Sequence, residues 1–307
     1  MNKTFYKGII FFLLSYVQLL LPASLVSGKV LAIFWFLFMY GIILIGDGIT
    51  QKIYNKSLLH EIRKSKKNMI SFFVISVLGG IILEGVAQWL GKLWVYPYFN
   101  IYSYSIFFIL GFGLYWLMIA ESYLATKAIF DYLRRGKNIV RNYYWFEPPF
   151  YKFIGVLGAV LIFLSVFFML RDYVPNGGYV FDISNPINYK VNFIYVITIF
   201  LGTWFVLESI EYFRKKTSLL KDIFHHYFNP LISILITSFV LAIIMETENI
   251  PHGFWIYTNW PFENIQLLNL PVTMFIAWPL HYVTFLSLFR AFTEKESDEI
   301  WRGDLLK

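Results

Sequence analysis

The sequence predicts an all-α, polytopic integral membrane protein with about eight transmembrane helices, arranged as two parallel four-helix repeats. Three observations predict this fold class: the composition, the succession of long apolar segments, and the recurrence of residues between the two halves of the chain. Of the 307 residues, 58% are hydrophobic and 15% are charged, whereas soluble domains carry about 25% charged residues. The composition therefore excludes a water-soluble domain.

Eight segments qualify as predicted spans, because a transmembrane helix needs about 20 predominantly apolar residues. They cover residues 8–27, 30–50, 69–90, 102–130, 149–171, 190–212, 226–248 and 270–293. The first span follows Lys3 and Lys7 and ends near Pro22, a pattern that also describes a signal peptide. We favour a retained span, because the repeat described below gives this segment a counterpart in the second half.

Basic residues concentrate in three predicted loops, at residues 51–68, 131–148 and 213–225. Together with the two termini, this side of the membrane holds all but four of the 26 lysines and arginines. The four on the other side are Lys29, Lys92, Arg171 and Lys190. By the positive-inside rule the basic side is cytoplasmic. We therefore predict a multi-pass protein of the cell (inner) membrane with both termini in the cytoplasm.

Residues recur between the two halves at an offset of 161 positions. This offset places Asp47 on Glu208 and the Trp94-x-Tyr96 motif on the Trp255-x-Tyr257 motif. Each half has an even number of predicted spans, so the two copies point the same way, and such repeats commonly place a site at their interface. The predicted organisation is a first repeat at 1–141, a second repeat at 142–293, and a cytoplasmic tail at 294–307.

Ionisable side chains within membrane spans are costly and usually face a cavity or a partner. Asp47, Glu208 and Glu211 are predicted at cytoplasmic helix ends, where basic loops can pair with them. Other ionisable residues lie deeper in the spans or at the opposite helix ends, and a carboxyl there can act as a general acid. The alternative is a hydrogen bond between helices. The candidate catalytic residues are Glu84, Glu246, Glu121 and His281.

Aromatic residues make up 21% of the chain. Belts of Trp and Tyr at the membrane interfaces explain many of them, but rings can also line a cavity and stabilise a cation through their faces. The candidate substrate-binding residues are Trp94, Tyr96, Trp116, Trp255, Tyr257 and Trp278.

No cofactor and no metal site are predicted. The chain contains no cysteine, which excludes thiolate chemistry. His225 and His226 are adjacent in the sequence, and adjacent residues on a helix point in different directions. The standard zinc-protease, phosphate-loop and nucleophile-elbow motifs are also missing from the sequence.

One hairpin of the second half carries a family resemblance. Its first part is Gly253-Phe254-Trp255-Ile256-Tyr257, and its second part is Leu267-Leu268-Asn269-Leu270-Pro271-Val272. Together they resemble the Gly-x-Trp-x-aromatic and Leu-Pro patterns of the membrane lycopene cyclases and related carotenoid hydratases. Glu246 and Trp278-Pro279 are similar to the hydratase branch. Thr273 and Met274 stand where those cyclases carry two adjacent acidic residues, so no residue is assigned to cyclisation by such a pair.

The resemblance implies an apolar, isoprenoid or carotenoid-like lipid as substrate, with carboxylic-acid protonation of a double bond followed by hydration or cyclisation. Two other functions stay open. One is a non-catalytic carrier or proton-coupled transporter, in which Glu121, Glu208 and His281 relay protons. The other is a structural subunit of a membrane complex. The expected partners are the lipid bilayer and an isoprenoid or other membrane lipid, without nucleic acid.

Overall fold

The computed structural model describes residues 3–22, 25, 27–134, 144–185, 191–268 and 270–293. Within these ranges the chain is a bundle of long helices with two small pairs of strands. Seven of the described helices are long and apolar enough to cross a membrane. The chain is therefore a multi-pass membrane protein, as its composition predicted. The predicted tail, Lys190, Asn269 and part of the basic loop at 131–148 lie outside the described residues.

The helices and strands follow the same order in the two halves, except that a second pair of strands occurs only in the second half of the described chain. The first half contains α1 (Lys3–Ser15), α2 (Gly28–Tyr54), α3 (Leu58–Arg63), α4 (Lys66–Leu83), β1 (Trp94–Val95) and α5 (Ile101–Leu133). The second half contains α6 (Glu147–Tyr173), α7 (Phe193–Phe213), α8 (Leu219–Phe224), α9 (Asn229–Asn249), β2 (Ile256–Tyr257), β3 (Gln266–Leu267), β4 (Leu270–Pro271) and α10 (Met274–Phe292).

The first predicted span differs from the other seven. Its helix α1 has 13 residues and is followed by a five-residue 3-10 helix, Tyr16–Leu20. α1 packs closely on α2, since a Cβ added to Gly8 would lie 2.8 Å from the carbonyl oxygen of Gly41. In the same way, a Cβ added to Gly158 of α6 would lie 2.5 Å from the carbonyl oxygen of Gly202 on α7. Glycine thus allows close helix packing in both halves.

The short helices α3 and α8 are held at their N-termini by buried acidic residues. Ser57 is the N-cap of α3 and donates its hydroxyl hydrogen to Asp47. Ser218 is the N-cap of α8 and donates its hydroxyl hydrogen to Glu208. Glu208 also accepts from the backbone N–H of Leu219 at 3.0 Å. Among the described residues, Asp47 and Glu208 form no ion pair with the basic loops, because serine and backbone donors take that place. We call this end of the bundle the short-helix end.

Glu211 does pair with a basic residue, but that residue lies on a helix rather than in a loop. Its carboxylate is 2.7 Å from the guanidinium of Arg290 on α10. Both side chains are almost completely buried, so the pair fastens α7 to α10 inside the bundle.

The two halves are joined at the opposite end, which we call the strand end, by an antiparallel ladder. β1 pairs with β2 so that Trp94 faces Tyr257 and Val95 faces Ile256. Below this ladder, α5 of the first half packs on α9 of the second half, and α10 packs on α4. The last long helix of each half therefore contacts the preceding long helix of the other half, and the space between the halves is enclosed by helices from both.

Candidate functional site

A cavity of about 110 Å³ lies between the two halves near the strand end. Its walls are mostly aromatic and aliphatic side chains, and Glu84 is the one carboxyl among its described lining residues. Seven of the ten predicted site residues line it, so the structure brings together most of what the sequence selected from both halves. These seven are Glu84, Trp94, Tyr96, Trp255, Tyr257, Trp278 and His281.

Two tyrosines hold the carboxyl of Glu84. Oε1 accepts a hydrogen bond from the Tyr96 hydroxyl at 2.7 Å, and Oε2 accepts one from the Tyr104 hydroxyl at 2.8 Å. The indole N–H of Trp94 lies 3.0 Å from the Tyr96 hydroxyl, and that of Trp89 lies 3.1 Å from the Tyr104 hydroxyl. Because an indole N–H can only donate, each phenol accepts from tryptophan and directs its own hydrogen to Glu84.

The Tyr96 hydroxyl stays protonated in this arrangement. Burial raises the pKa of Tyr96 well above its usual value, and the charge of Glu84 raises it further. The backbone also contributes to the position of Glu84, which begins a π-helical segment, Glu84–Leu90, at the end of α4. Such segments are rare and are often found at functional sites. Glu84 is 2% exposed, and its carboxyl receives hydrogen bonds from two phenols.

Glu246 sits in a closely similar chain of hydrogen bonds in the second half. The Trp255 indole donates to the Tyr257 hydroxyl at 2.7 Å, and this hydroxyl lies 2.9 Å from Glu246 Oε2. The other carboxyl oxygen accepts from the Asn249 amide, which also bonds to the backbone of Trp255. Glu246 is not among the described lining residues of the cavity. It therefore fixes the turn before β2, whereas Glu84 reaches the cavity.

His281 occupies a second polar position on the cavity wall. Its Nε2 lies 2.9 Å from the hydroxyl of Tyr115, which also lines the cavity. The two rings are nearly parallel, with an interplanar angle of 7°, and Trp278 meets the imidazole edge to face. Tyr115 lies on α5 and His281 on α10, so this pair joins the two halves.

Two further predicted residues do not line the cavity. Glu121 accepts a hydrogen bond from the backbone N–H of Leu59 at 2.6 Å, at the short-helix end. Trp116 stacks on Phe285 with ring centroids 3.9 Å apart and belongs to the packed core. Glu121 and His281, which the repeat predicts at equivalent positions, therefore lie in different surroundings.

A segment that follows α6 covers the strand end of the first half. We call residues 174–185 the strap. The backbone N–H of Tyr96 donates to the carbonyl of Ile183 at 2.8 Å, and the Lys92 ammonium donates to the carbonyl of Asp182 at 3.0 Å. Ser184 also donates to the carbonyl of Phe99 at 2.6 Å. The strap thus contacts the chain on both sides of β1.

Sequence analysis missed three residues that complete the site: Trp89, Tyr104 and Tyr115. Tyr104 is the second donor to Glu84, and Tyr115 is the partner of His281. The sequence held only a weak signal for them, since hydroxyl-bearing rings near span ends are also typical of interfacial belts.

Comparison of the chain with models of protein families, with curated proteins and with solved structures found no match. Among the described residues, no group of three or more His, Asp or Glu side chains is arranged to hold a metal ion. Fold and cavity together define a multi-pass helical membrane protein with an aromatic-lined internal site. The resemblance to lycopene cyclases and carotenoid hydratases stays a prediction.

Proposed function

We propose that the protein is a membrane enzyme that binds an apolar isoprenoid or carotenoid-like lipid in the cavity and adds a proton to one of its double bonds. Glu84 is the proton donor. The observation that carries this proposal is the position of Glu84 on a largely apolar, aromatic wall, with two phenol donors directed at its carboxyl oxygens.

The chemistry follows from these contacts. In the acid form, the Glu84 proton occupies a carboxyl lone pair that the phenols leave free. When this proton forms a C–H bond with the π electrons of the lipid, a cation develops on the neighbouring carbon and Glu84 becomes a carboxylate. Hydrogen bonds from Tyr96 and Tyr104 strengthen as that negative charge appears. The faces of the surrounding indole and phenol rings stabilise the cation. Addition of water or loss of a proton then completes hydration or cyclisation.

The duplication of the four-helix unit belongs to the same proposal. The two halves share their order of helices and the glycine contacts of their first two helices. α1 and its 3-10 extension serve as the eighth span, the counterpart of α6. With the orientation given by the positive-inside rule, the cavity and the strap lie toward the outer face of the cell membrane.

The contacts of Glu121 and Glu208 favour this enzyme over a proton-coupled carrier. Glu121 and Glu208, which a carrier would use as relays, each accept a hydrogen bond from the backbone N–H at the start of a short helix. That arrangement supports a structural role for both residues. The remaining member of the predicted relay, His281, lines the cavity.

The test compares lipid extracts, by mass spectrometry, from cells with the gene, without it, and with single variants. We expect a polyene or other isoprenoid to accumulate without the gene and again with Glu84→Gln. Glu246→Gln is the matched control, because Glu246 has an equivalent tryptophan–tyrosine chain but does not reach the cavity. Equal amounts of each variant in the membrane must be verified. An unchanged lipid profile in every strain would contradict the enzyme and favour the carrier or the structural subunit.

A further inference from the structure

The reaction proposed above needs a proton acceptor as well as a donor. Water addition releases a proton from the attacking water, and ring closure or isomerisation releases one from carbon. Glu84 occupies one wall of the cavity, where two phenols orient its carboxyl toward the carbon that it protonates. A second polar group, on another part of the cavity wall, is the natural acceptor for a proton released elsewhere on the lipid.

We propose that Tyr115 and His281 form this proton-accepting pair; the inference rests on the proposed function. Both residues line the cavity, and their hydroxyl and Nε2 atoms are 2.9 Å apart. Tyr115 has no other hydrogen-bond partner among the described residues, so its oxygen retains acceptor capacity toward the cavity.

In two other buried pairs, each ionisable side chain is already bound to its partner. The Lys127 ammonium lies 2.8 Å from Asp131, which also accepts from Tyr54, Tyr227 and Asn229. Arg290 is paired with Glu211. Neither pair lines the cavity. By contrast, the described contacts of the His281 imidazole are aromatic rings, and its one polar partner there is Tyr115.

The proton transfer is balanced in two coupled movements. The water or carbon that loses its proton gives it to the Tyr115 oxygen, while the phenol hydrogen of Tyr115 passes to Nε2 of His281. The lipid cation becomes a neutral alcohol or alkene, Tyr115 ends neutral, and His281 becomes an imidazolium. Release of that proton to water, and protonation of the Glu84 carboxylate from water, restore the starting state.

The test separates proton addition from proton removal by the use of D₂O. Membranes from cells that lack the gene supply the lipid, and purified protein in buffered D₂O is added to them. Mass spectrometry measures the product and the deuterium in the recovered starting lipid. For Tyr115→Phe and His281→Gln we expect product to fall by about 100-fold, the usual contribution of a general base. The starting lipid should still take up deuterium, because Glu84 can add a deuteron and take a proton back.

Two further variants make the outcomes distinct. Tyr282→Phe is the matched control, since the Tyr282 hydroxyl is buried without a described partner and does not line the cavity; we expect its product yield to match the wild type. Glu84→Gln should lose product and deuterium uptake together. The role of the pair would be overturned if Tyr115→Phe and His281→Gln gave as much product as the wild type. It would also be overturned if both variants lost product formation and deuterium uptake together. If the wild type gives neither product nor uptake, the proposed function fails and the pair fails with it.

Discussion

Val95 faces Ile256 in the antiparallel ladder between β1 and β2, and these two positions are 161 residues apart. The same offset relates Trp94 to Trp255 and Tyr96 to Tyr257 in the sequence. Such a pairing is the one expected if the two halves are parallel repeats related by a pseudo-twofold axis, as the sequence predicts. The strand register therefore pairs two positions that the sequence offset also relates, and the cavity lies beside this ladder.

The ladder predicts a disulfide between Val95→Cys and Ile256→Cys. Residues that face each other across an antiparallel pair have Cα atoms about 4.5–5.5 Å apart, a separation that a disulfide spans. Because the chain has no cysteine of its own, the engineered pair is the only one that can form within a molecule. After cleavage at a protease site inserted in the basic loop at 131–148, oxidised protein should migrate as one band on a non-reducing gel. Two bands after oxidation would contradict the ladder; each single cysteine variant serves as control.

Lys92 predicts an unusual order of stability among its substitutions. Its backbone has a φ of 50°, in the left-handed region, and the residue 161 positions later, Gly253, has a φ of 59°. The Lys92 carbonyl is held by Thr258 and Asn259, and its ammonium lies over the rings of two strap residues. Lys92→Ala loses the strap contact and keeps the backbone strain of a non-glycine residue in the left-handed region. Lys92→Gly also loses the strap contact, but it removes that strain.

We therefore expect Lys92→Gly to be more stable than Lys92→Ala by about 1 kcal/mol, the usual advantage of glycine at such a position. Both should be less stable than the wild type. The order of stability is measured by heating each protein in detergent and using size-exclusion chromatography to determine how much folded protein remains. If Lys92→Ala proved as stable as Lys92→Gly, residue 92 would not have the left-handed backbone conformation described here.

Glu208 provides a test of structural against relay roles. Every partner of its carboxylate among the described residues is a hydrogen-bond donor: the Trp204 indole, the Ser218 hydroxyl, and the backbone N–H groups of Leu219 and Leu220. Glu208→Gln would turn an amide NH₂ toward one of these donors and leave it unpaired. We expect a loss of about 1–3 kcal/mol of stability, the cost of a buried unsatisfied donor. Asp172→Asn, at an exposed site, is the control in the same unfolding measurement. If Glu208→Gln were as stable as the control, the result would favour a proton-relay role for Glu208 over a structural one.

Much of the fold could be predicted from the sequence. Long apolar runs indicate spans by themselves, and the offset between the two Trp-x-Tyr motifs related the two halves. The strands that pair at these motifs were not predicted, because the sequence indicated an all-α fold. The difference between Glu84 and Glu246 could not be predicted, since both precede such a motif at nearly the same spacing. It arises from the π-helical segment after α4 and from Asn249, and both depend on three-dimensional packing. The partners Tyr104 and Tyr115 come from α5, and only its packing brings them to Glu84 and His281.

The most direct test of the central claim is whether the cavity holds an isoprenoid lipid. Ala277 of α10 lines the cavity, so Ala277→Phe should fill it, whereas Val156→Phe adds the same ring to a position on α6 that is 67% exposed. Mass spectrometry of lipids extracted from the purified proteins provides the measurement. We expect an isoprenoid bound to the wild type and to Val156→Phe but lost from Ala277→Phe. The same bound lipids in all three proteins, or no isoprenoid in the folded wild type, would contradict the account.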